Sequence, residues 1–179
     1  MEPTKMHVSY EEIHKIVGRL SKTIFTEFSP EVIIGIGGGG LLPARLFRTA
    51  LKIPMYAVFI SFYEDGVEES NASGPQKTQW LDQTALDFMR GKRILIVDEI
   101  SDSGATLHYC VEEVLKTCDP SKVSVAVLHD KMREKSKILD LSTVSYYVGL
   151  YTDDVWVTYP WSSIPIAFQE SPASTCVMI

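Results

Sequence analysis

The sequence predicts an α/β domain with a mostly parallel central sheet flanked by helices. Short apolar runs of strand length alternate along the chain with amphipathic segments of helical periodicity, which is the order typical of βαβ units. Residues 32–36 and 94–97 are almost wholly aliphatic, as expected for strands that are buried on both faces. The chain has 179 residues, which is the usual size of one domain.

Charge and composition narrow the function classes. The chain has 17 Lys and Arg against 23 Asp and Glu, for a net charge of −6, so no overall positive field attracts nucleic acid or anionic lipid. Its aliphatic runs are far shorter than the ~20 residues that cross a bilayer, and its first residues lack the pattern of a secretion signal. We therefore expect a cytoplasmic protein without a nucleic-acid partner.

The first half of the chain predicts two helices around a buried strand. A helix is predicted over residues 9–28, because apolar side chains recur at helical spacing and Ser9 with Glu12 has the form of a capping box. Residues 32–36 predict the strand, which leads directly into four consecutive glycines. A helical pattern then resumes over residues 41–51.

The second half repeats the pattern of strand, loop and helix. Residues 53–62 are rich in β-forming side chains, and residues 64–79 are polar, which predicts a loop of the kind that often serves as a functional lid. Residues 93–97 predict a second buried strand and residues 106–118 a second clear helix. Further strand-like segments are residues 123–128, 144–150 and 156–157.

The most informative segment is the loop after the second buried strand. Asp98 and Glu99 come directly after four aliphatic residues, and open α/β sheets bind ligands at this end of their strands. Residues 103–106 are small or hydroxylated, so their backbone N–H groups can surround a phosphate at a helix N-terminus. Carboxylates followed by a phosphate cradle predict a ribose phosphate site, and a buried strand followed by an acidic, capped turn is the alternative.

Residues 94–106 resemble the phosphoribosyl pyrophosphate (PRPP) loop of the type I phosphoribosyltransferases. The resemblance implies the fold of that family, with its small hood region, and a Mg²⁺ cofactor. It implies that Asp98 and Glu99 bind ribose hydroxyls or the metal, while residues 101–106 bind the 5′-phosphate. The implied PRPP contacts are Asp98, Glu99, Ile100, Ser101, Asp102, Ser103, Gly104, Ala105 and Thr106.

Asp102 is the candidate catalytic residue. In the 6-oxopurine members of the family, an Asp at the matching position is the general acid/base at N7 of the purine, and adenine and orotate enzymes often have Thr or Ser-type residues there. The resemblance therefore implies hypoxanthine, guanine or xanthine as the base. The alternative is that Asp102 is a turn-forming side chain.

The glycine run has two interpretations. Residues 35–40 formally match the GxGxxG pattern of dinucleotide-binding folds, but no acidic residue follows at the second strand end, over residues 56–62. We therefore set NAD binding aside.

Residues 36–45 instead resemble the pyrophosphate loop of xanthine-guanine and fungal hypoxanthine-guanine phosphoribosyltransferases. Glycines let backbone N–H groups approach the leaving pyrophosphate, and the implied contacts are Gly38, Gly39, Gly40 and Lys77. Many relatives carry Lys or Arg where Gly38 stands. Because Gly38 has no charge, the cation that meets the pyrophosphate must be Mg²⁺, Arg45 or Lys77. The alternative for Arg45 and Lys77 is a solvated position on the surface.

A base pocket is implied by two further segments. Lys131 ends a strand-like run, where the family places a Lys that donates to the 6-oxo group of the purine. Trp156 matches the aromatic ring that stacks on the base, and the backbone of Val157 matches the group that reads position 2. The alternative is that Trp156 and Trp161 are both core residues.

The resemblance also implies the domain organisation and the assembly of the protein. A phosphoribosyltransferase domain is predicted over residues 1–161 and a C-terminal extension over residues 162–179. The family implies a homo-oligomer, either a dimer or a tetramer. Residues 176–179 have the C-a-a-X form, so membrane association is expected only if Cys176 is prenylated. The competing hypotheses are a non-catalytic module that senses PRPP or a nucleotide, and a phosphoribosyltransferase for another nucleobase.

Overall fold

The computed structural model describes residues 5–61 and 74–162. The strands in these ranges are β1 (Lys5–His7), β2 (Val32–Gly37), β3 (Met55–Ser61), β4 (Gln76–Gln79), β5 (Arg93–Ser101), β6 (Lys122–Lys131), β7 (Val144–Thr152) and β8 (Trp156–Thr158). The helices are α1 (Tyr10–Glu27), α2 (Leu41–Leu51), α3 (Gln83–Met89) and α4 (Ala105–Cys118), and a short 3₁₀ helix covers Pro160–Ser162.

A six-stranded sheet in the order β4-β3-β2-β5-β6-β7 forms the centre of the fold. Its strands pair in parallel, except that β4 runs antiparallel to β3 at one edge. Because neighbouring side chains of a strand point to opposite faces, Ile34 and Ile96 pack with α3 and α4 on one face, whereas Ile33 and Leu95 pack with α1 and α2 on the other. The predicted fold class is confirmed.

A capping box marks the start of α1. The Ser9 hydroxyl accepts from the Glu12 N–H at 3.2 Å, and the Glu12 carboxylate accepts from the Ser9 N–H at 2.7 Å. This is the predicted capping box, which satisfies N–H groups that the first helical turn leaves without partners. No helix among the described residues is long and apolar enough to cross a membrane.

Several elements, including the unpredicted β1, differ from the sequence-based expectation. The polar segment predicted as a loop over residues 64–79 ends in β4, which the edge of β3 orders through antiparallel pairing. The helix α3 was not predicted, because its seven residues are too few to show a period. The predicted strand at residues 156–157 is β8, but it pairs with β1 in a separate two-stranded parallel sheet. Residues 62–73 of the expected lid lie outside the described residues.

The length of β5 positions the site. This strand runs to Ser101, beyond the aliphatic residues 94–97, because β6 continues alongside it to the pairing of Ser101 with Asp130. Neighbouring β2 is paired with β5 only up to Gly35 and Val97. The glycine run that follows β2 therefore lies beside the acidic end of β5, at the carboxyl edge of the sheet.

Candidate functional site

A cavity of about 330 Å³ opens at the carboxyl edge of the parallel strands. Its walls are residues 36–39 from the glycine run, residues 98–104 from the end of β5 and the loop after it, and Thr106 and Leu107 from α4, with Ile60 closing one side. Parallel α/β sheets bind ligands at this edge. The two segments that the sequence singled out thus form opposite walls of one cleft.

A buried carboxylate, Asp98, and a half-buried one, Glu99, line this cleft. The Asp98 carboxylate accepts from the Glu99 N–H at 2.9 Å, and only 8% of Asp98 is exposed. Burial, together with the charge of Glu99, raises the pKa of Asp98 well above its ordinary value. The Glu99 Oε2 atom is buried without a hydrogen-bond partner among the described residues.

A cation would satisfy this arrangement. Mg²⁺ commonly binds to one or two carboxylates and completes its shell with water and substrate phosphate. The unpartnered oxygen of Glu99 and the adjacent carboxylate of Asp98 fit that donor set. Within the described residues no cluster of three or more His, Cys, Asp or Glu side chains could hold a metal ion.

The N-terminus of α4 forms one end of the cleft. Gly104 precedes the helix at φ +80° and supplies no side-chain cap. The Ala105 N–H donates to the Ser103 hydroxyl at 3.4 Å, which leaves the N–H groups of Thr106 and Leu107 in the first turn for an anion. A Cβ at Gly104 would also lie 2.3 Å from the Lys137 carbonyl oxygen. The turn thus requires glycine for both its conformation and its contact with the neighbouring segment.

The glycine run lies directly on the acidic end of β5. A Cβ at Gly39 would lie 2.1 Å from the Glu99 carboxyl carbon, and one at Gly40 would lie 2.7 Å from the Val97 carbonyl oxygen. Side chains at these positions would therefore push the two walls apart. Backbone groups of the run reach the cleft because there is no side chain between them and the carboxylates.

Asp102 and Lys131 meet at the rim. The Lys131 ammonium donates to the Asp102 carboxylate at 2.7 Å, and 8% of the Lys131 side chain is exposed. Arg133 donates to the other oxygen of Asp102 at 3.1 Å, and Asp154 lies 3.5 Å from Arg133 and 3.6 Å from Lys131. Two carboxylates and two cations thus form one cluster.

Sequence reasoning missed two members of this cluster, Arg133 and Asp154. Arg133 lies in the bend after β6 ends at Lys131, where the sequence pattern predicts no direction for its side chain. Asp154 carries no signal either, because the separation of these segments in the chain hides their contact.

Six predicted contacts are absent from the described cavity wall, namely Gly40, Lys77, Ala105, Lys131, Trp156 and Val157. Lys77 of β4 forms an ion pair with Glu113 of α4 at 2.5 Å, and this contact lowers the pKa of Glu113. Trp156 and Val157 lie in β8, where 62% of Trp156 is exposed and Val157 packs against the core.

The other candidates outside that wall have local partners. Arg45, the other candidate cation, donates to Thr49 within α2. Trp161 packs against Tyr159 with ring centroids 4.9 Å apart, as a core residue would. Trp156 is not a core residue.

Comparison with known proteins defines the class. Residues 9–156 match the phosphoribosyl transferase domain family, and the chain belongs to that family. The hypoxanthine-guanine phosphoribosyltransferase of Schizosaccharomyces pombe is 36% identical over 96% of this chain and 95% of that protein. Xanthine phosphoribosyltransferase 1 of Saccharomyces cerevisiae is 36% identical over 90% of this chain and 91% of its own.

A solved structure shares the fold of this chain. A hypothetical protein from Neisseria gonorrhoeae, crystallised with bound ppGpp, superposes with a TM-score of 0.82 at 36% identity, over 94% of this chain and 95% of that chain. The resemblance inferred from residues 94–106 and 36–45 is confirmed at the level of the family, and the relatives named as purine phosphoribosyltransferases are enzymes.

Proposed function

We propose that the protein transfers the 5-phosphoribosyl group from PRPP to hypoxanthine, guanine or xanthine, and forms the nucleoside 5′-monophosphate and pyrophosphate in purine salvage. The observation that carries this proposal is the contact of Asp102 with Lys131 beside the open N-terminus of α4. One side chain handles a proton on the base and the other donates to its 6-oxo group, while the helix binds the sugar phosphate. The names of the two fungal relatives, a hypoxanthine-guanine and a xanthine phosphoribosyltransferase, specify the same class of base.

Each wall of the cleft has its own task in this reaction. The N-terminus of α4 and residues 101–106 bind the 5′-phosphate, since N–H groups and the helix dipole both favour an anion there. Gly38, Gly39 and Gly40 present backbone N–H groups to the pyrophosphate. Asp98 and Glu99 bind ribose hydroxyls or hold Mg²⁺, which when bound offsets negative charge on the pyrophosphate.

The bond changes require one proton acceptor. A ring nitrogen of the purine forms a bond to C1 of the ribose as the C1–oxygen bond to pyrophosphate breaks, and the purine then carries a proton too many at N7. The Asp102 carboxylate takes that proton, a contribution of typically 10²–10⁴-fold to the rate. Lys131 holds the 6-oxo group, and the exposed ring of Trp156 stacks on the base with the Val157 backbone at position 2.

The test is direct. The purified protein is incubated with PRPP, Mg²⁺ and each of hypoxanthine, guanine, xanthine and adenine, and nucleotide formation is followed by chromatography. Turnover of one or more oxopurines without adenine is the expected result. Turnover of adenine alone would show another nucleobase as substrate, and PRPP binding without turnover of any base would contradict the proposed activity.

A second candidate is a nucleotide-sensing module that binds without catalysis. The observation in its favour is the ppGpp in the Neisseria gonorrhoeae protein, because a nucleotide with two diphosphates would also use a phosphate cradle. Calorimetry with ppGpp and with GMP distinguishes the two candidates. Tight nucleotide binding by a protein that turns over no base would favour the sensor.

Four further properties belong to the same proposal. We infer a phosphoribosyltransferase domain over residues 1–161 with an extension over residues 162–179, a dimer or tetramer, and a cytoplasmic location. Light scattering on the purified protein tests the assembly. Residues 163–179 lie outside the described residues, so prenylation of Cys176 stays a prediction, which mass spectrometry of the protein from a eukaryotic cell can test.

A further inference from the structure

The back of the PRPP loop is held by residues 135–137, which we call the support segment. The Lys135 ammonium donates to the Ser101 carbonyl oxygen at 2.8 Å, to the Ser101 hydroxyl at 3.2 Å and to the Asp102 carbonyl oxygen at 2.8 Å. A single side chain thus binds two successive carbonyls of the loop. Neither Lys135 nor its neighbours were singled out by the sequence.

The next carbonyl of the loop is bound by the same segment. The Ser136 N–H and hydroxyl donate to the Ser103 carbonyl oxygen at 3.0 and 3.1 Å, and the Lys137 N–H lies 3.3 Å from it. Three consecutive carbonyls of the loop, from Ser101 to Ser103, therefore turn toward the support segment.

Lys135 is itself fixed in place. Its ammonium lies 2.6 Å from the Asp130 carboxylate, and 19% of the Lys135 side chain and 10% of the Asp130 side chain are exposed. The other Asp130 oxygen accepts from the Tyr146 hydroxyl at 2.5 Å. A charged group that is buried and hydrogen-bonded on several sides has little freedom to move.

The carbonyl directions determine where the loop N–H groups point. In a trans peptide unit the C=O and the following N–H point in opposite directions. Since the carbonyls of Ser101, Asp102 and Ser103 face the support segment, the N–H groups of Asp102, Ser103 and Gly104 face away from it. These residues line the cavity on their other side.

We propose that Lys135 is a positioning residue that orients the backbone N–H groups of the PRPP loop toward the 5′-phosphate, an inference that rests on the proposed function. It does not touch substrate itself. By holding the carbonyls outward it prepares the loop before PRPP arrives, so the substrate does not have to order the loop on binding.

The test is Lys135→Met, which keeps the length of the side chain and removes its donors. Hydrogen bonds to charged groups are strong, so the KM for PRPP and the Kd for PRPP by calorimetry should rise by roughly tenfold or more, while the KM for the oxopurine stays within about twofold. The matched control is Lys22→Met, the same change at an exposed position of α1 outside the support segment. It should leave both KM values unchanged.

A second variant separates weakened PRPP binding from a failure to fold. Lys135→Met leaves the Asp130 carboxylate buried without its cation, and unpaired buried charges destabilise the fold. The double variant Lys135→Met with Asp130→Asn removes that charge and keeps a hydrogen-bonding group for Tyr146. It should fold and still show weakened PRPP binding.

The outcomes separate this inference from the proposed function. Wild-type binding of PRPP without turnover of any base contradicts the proposed function, and the calorimetric comparison then still decides the role of Lys135. Unchanged PRPP binding in both Lys135 variants would overturn the inference. An equal rise in both KM values would also overturn it, because it would show a general structural effect.

Discussion

Asp102 can accept a proton only if its carboxylate is correctly placed. Lys131 at 2.7 Å and Arg133 at 3.1 Å each bind one of its two oxygens. These contacts fix the direction of the side chain, so the cluster supplies the geometry that the proposed proton transfer needs.

Replacement of Asp102 by Asn should isolate the proton transfer. The amide keeps the size of the side chain and an oxygen for Lys131 but cannot take a proton, so kcat should fall by about 10²–10⁴-fold. Binding of PRPP, measured by calorimetry, should change little. The control is Asp119→Asn, which alters an exposed residue at the C-terminal end of α4; a normal kcat for Asp102→Asn would remove that residue from the proton transfer.

Trp156 offers a second test at the scale of a residue. Its side chain is 62% exposed, so truncation to Ala should not affect folding. If the ring stacks on the base, the loss of ~1–3 kcal/mol raises the KM for the oxopurine by roughly 5- to 150-fold. Phe25→Ala removes an aromatic ring that is 64% exposed on α1 and serves as the control. Equal kinetics for the two variants would exclude stacking by Trp156.

At the scale of the element, the site depends on how closely the glycine run and the end of β5 approach each other. The strands β2 and β5 are paired in parallel, so both deliver their following residues to the same edge. The close contact of Gly39 with Glu99 then lets the glycine run and the acidic end of β5 line one cleft. The direct pairing of β2 with β5 is therefore what brings these two segments together.

Two glycine substitutions separate the packing of the site from helix propensity. Gly39→Ala places a methyl group against the half-buried Glu99 carboxylate, which should cost about 1–3 kcal/mol of stability and displace the carboxylate, so that PRPP turnover falls. Gly18→Ala meets nothing within 4 Å in α1 and should stabilise the protein by about 1 kcal/mol. Urea unfolding together with the assay measures both effects. Full activity in Gly39→Ala would show that the approach of these elements does not matter for catalysis.

At the scale of the whole molecule, a buried hydrogen-bonded chain joins the C-terminal segment to the sheet. His129 of β6 lies 2.8 Å from the Tyr159 hydroxyl, which donates to the Glu99 carbonyl oxygen at 2.9 Å. Burial lowers the pKa of His129, and the charge of Glu12 opposes this shift in part. The neutral imidazole is therefore the form that the folded protein accommodates.

This buried histidine predicts a pH dependence of stability. The pKa of His129 is lower in the folded protein than its unfolded value of about 6.5, so below about pH 6.5 the unfolded chain binds more protons than the folded one. The contribution of His129 to the free energy of unfolding should therefore decrease as the pH falls from 7 to 5, whereas Asp98, whose pKa is raised in the folded protein, acts in the opposite direction. Urea unfolding across that range measures it.

The histidine variants identify the source of the effect. His129→Gln should remove the contribution of this histidine, so that the free energy of unfolding falls less, or rises more, between pH 7 and pH 5 than in the wild type, even though the variant lowers the overall stability by changing a buried contact. His14→Gln, at an exposed position of α1, should keep the wild-type slope. An unchanged slope in His129→Gln would assign the pH dependence to other groups.

The sequence by itself determined the elements that local chemistry specifies. The aliphatic residues 94–97 followed by Asp98 and Glu99 predicted both a buried strand and a site at its end. The reason is that residues directly after a buried parallel strand lie at the carboxyl edge of the sheet, where α/β folds bind ligands. The capping box of α1 was likewise readable, since Ser9 and Glu12 are three residues apart. These signals need no knowledge of distant neighbours.

Only the tertiary structure decided which distant residues meet. Asp102 and Lys131 are 29 positions apart, and Lys135 lies 34 positions from Ser101. The pairing of Lys77 with Glu113 and the ordering of β4 along β3 arise in the same way. The physical reason is that strand register and the packing of helices on the sheet set these distances, and neither is encoded in the spacing of residues along the chain.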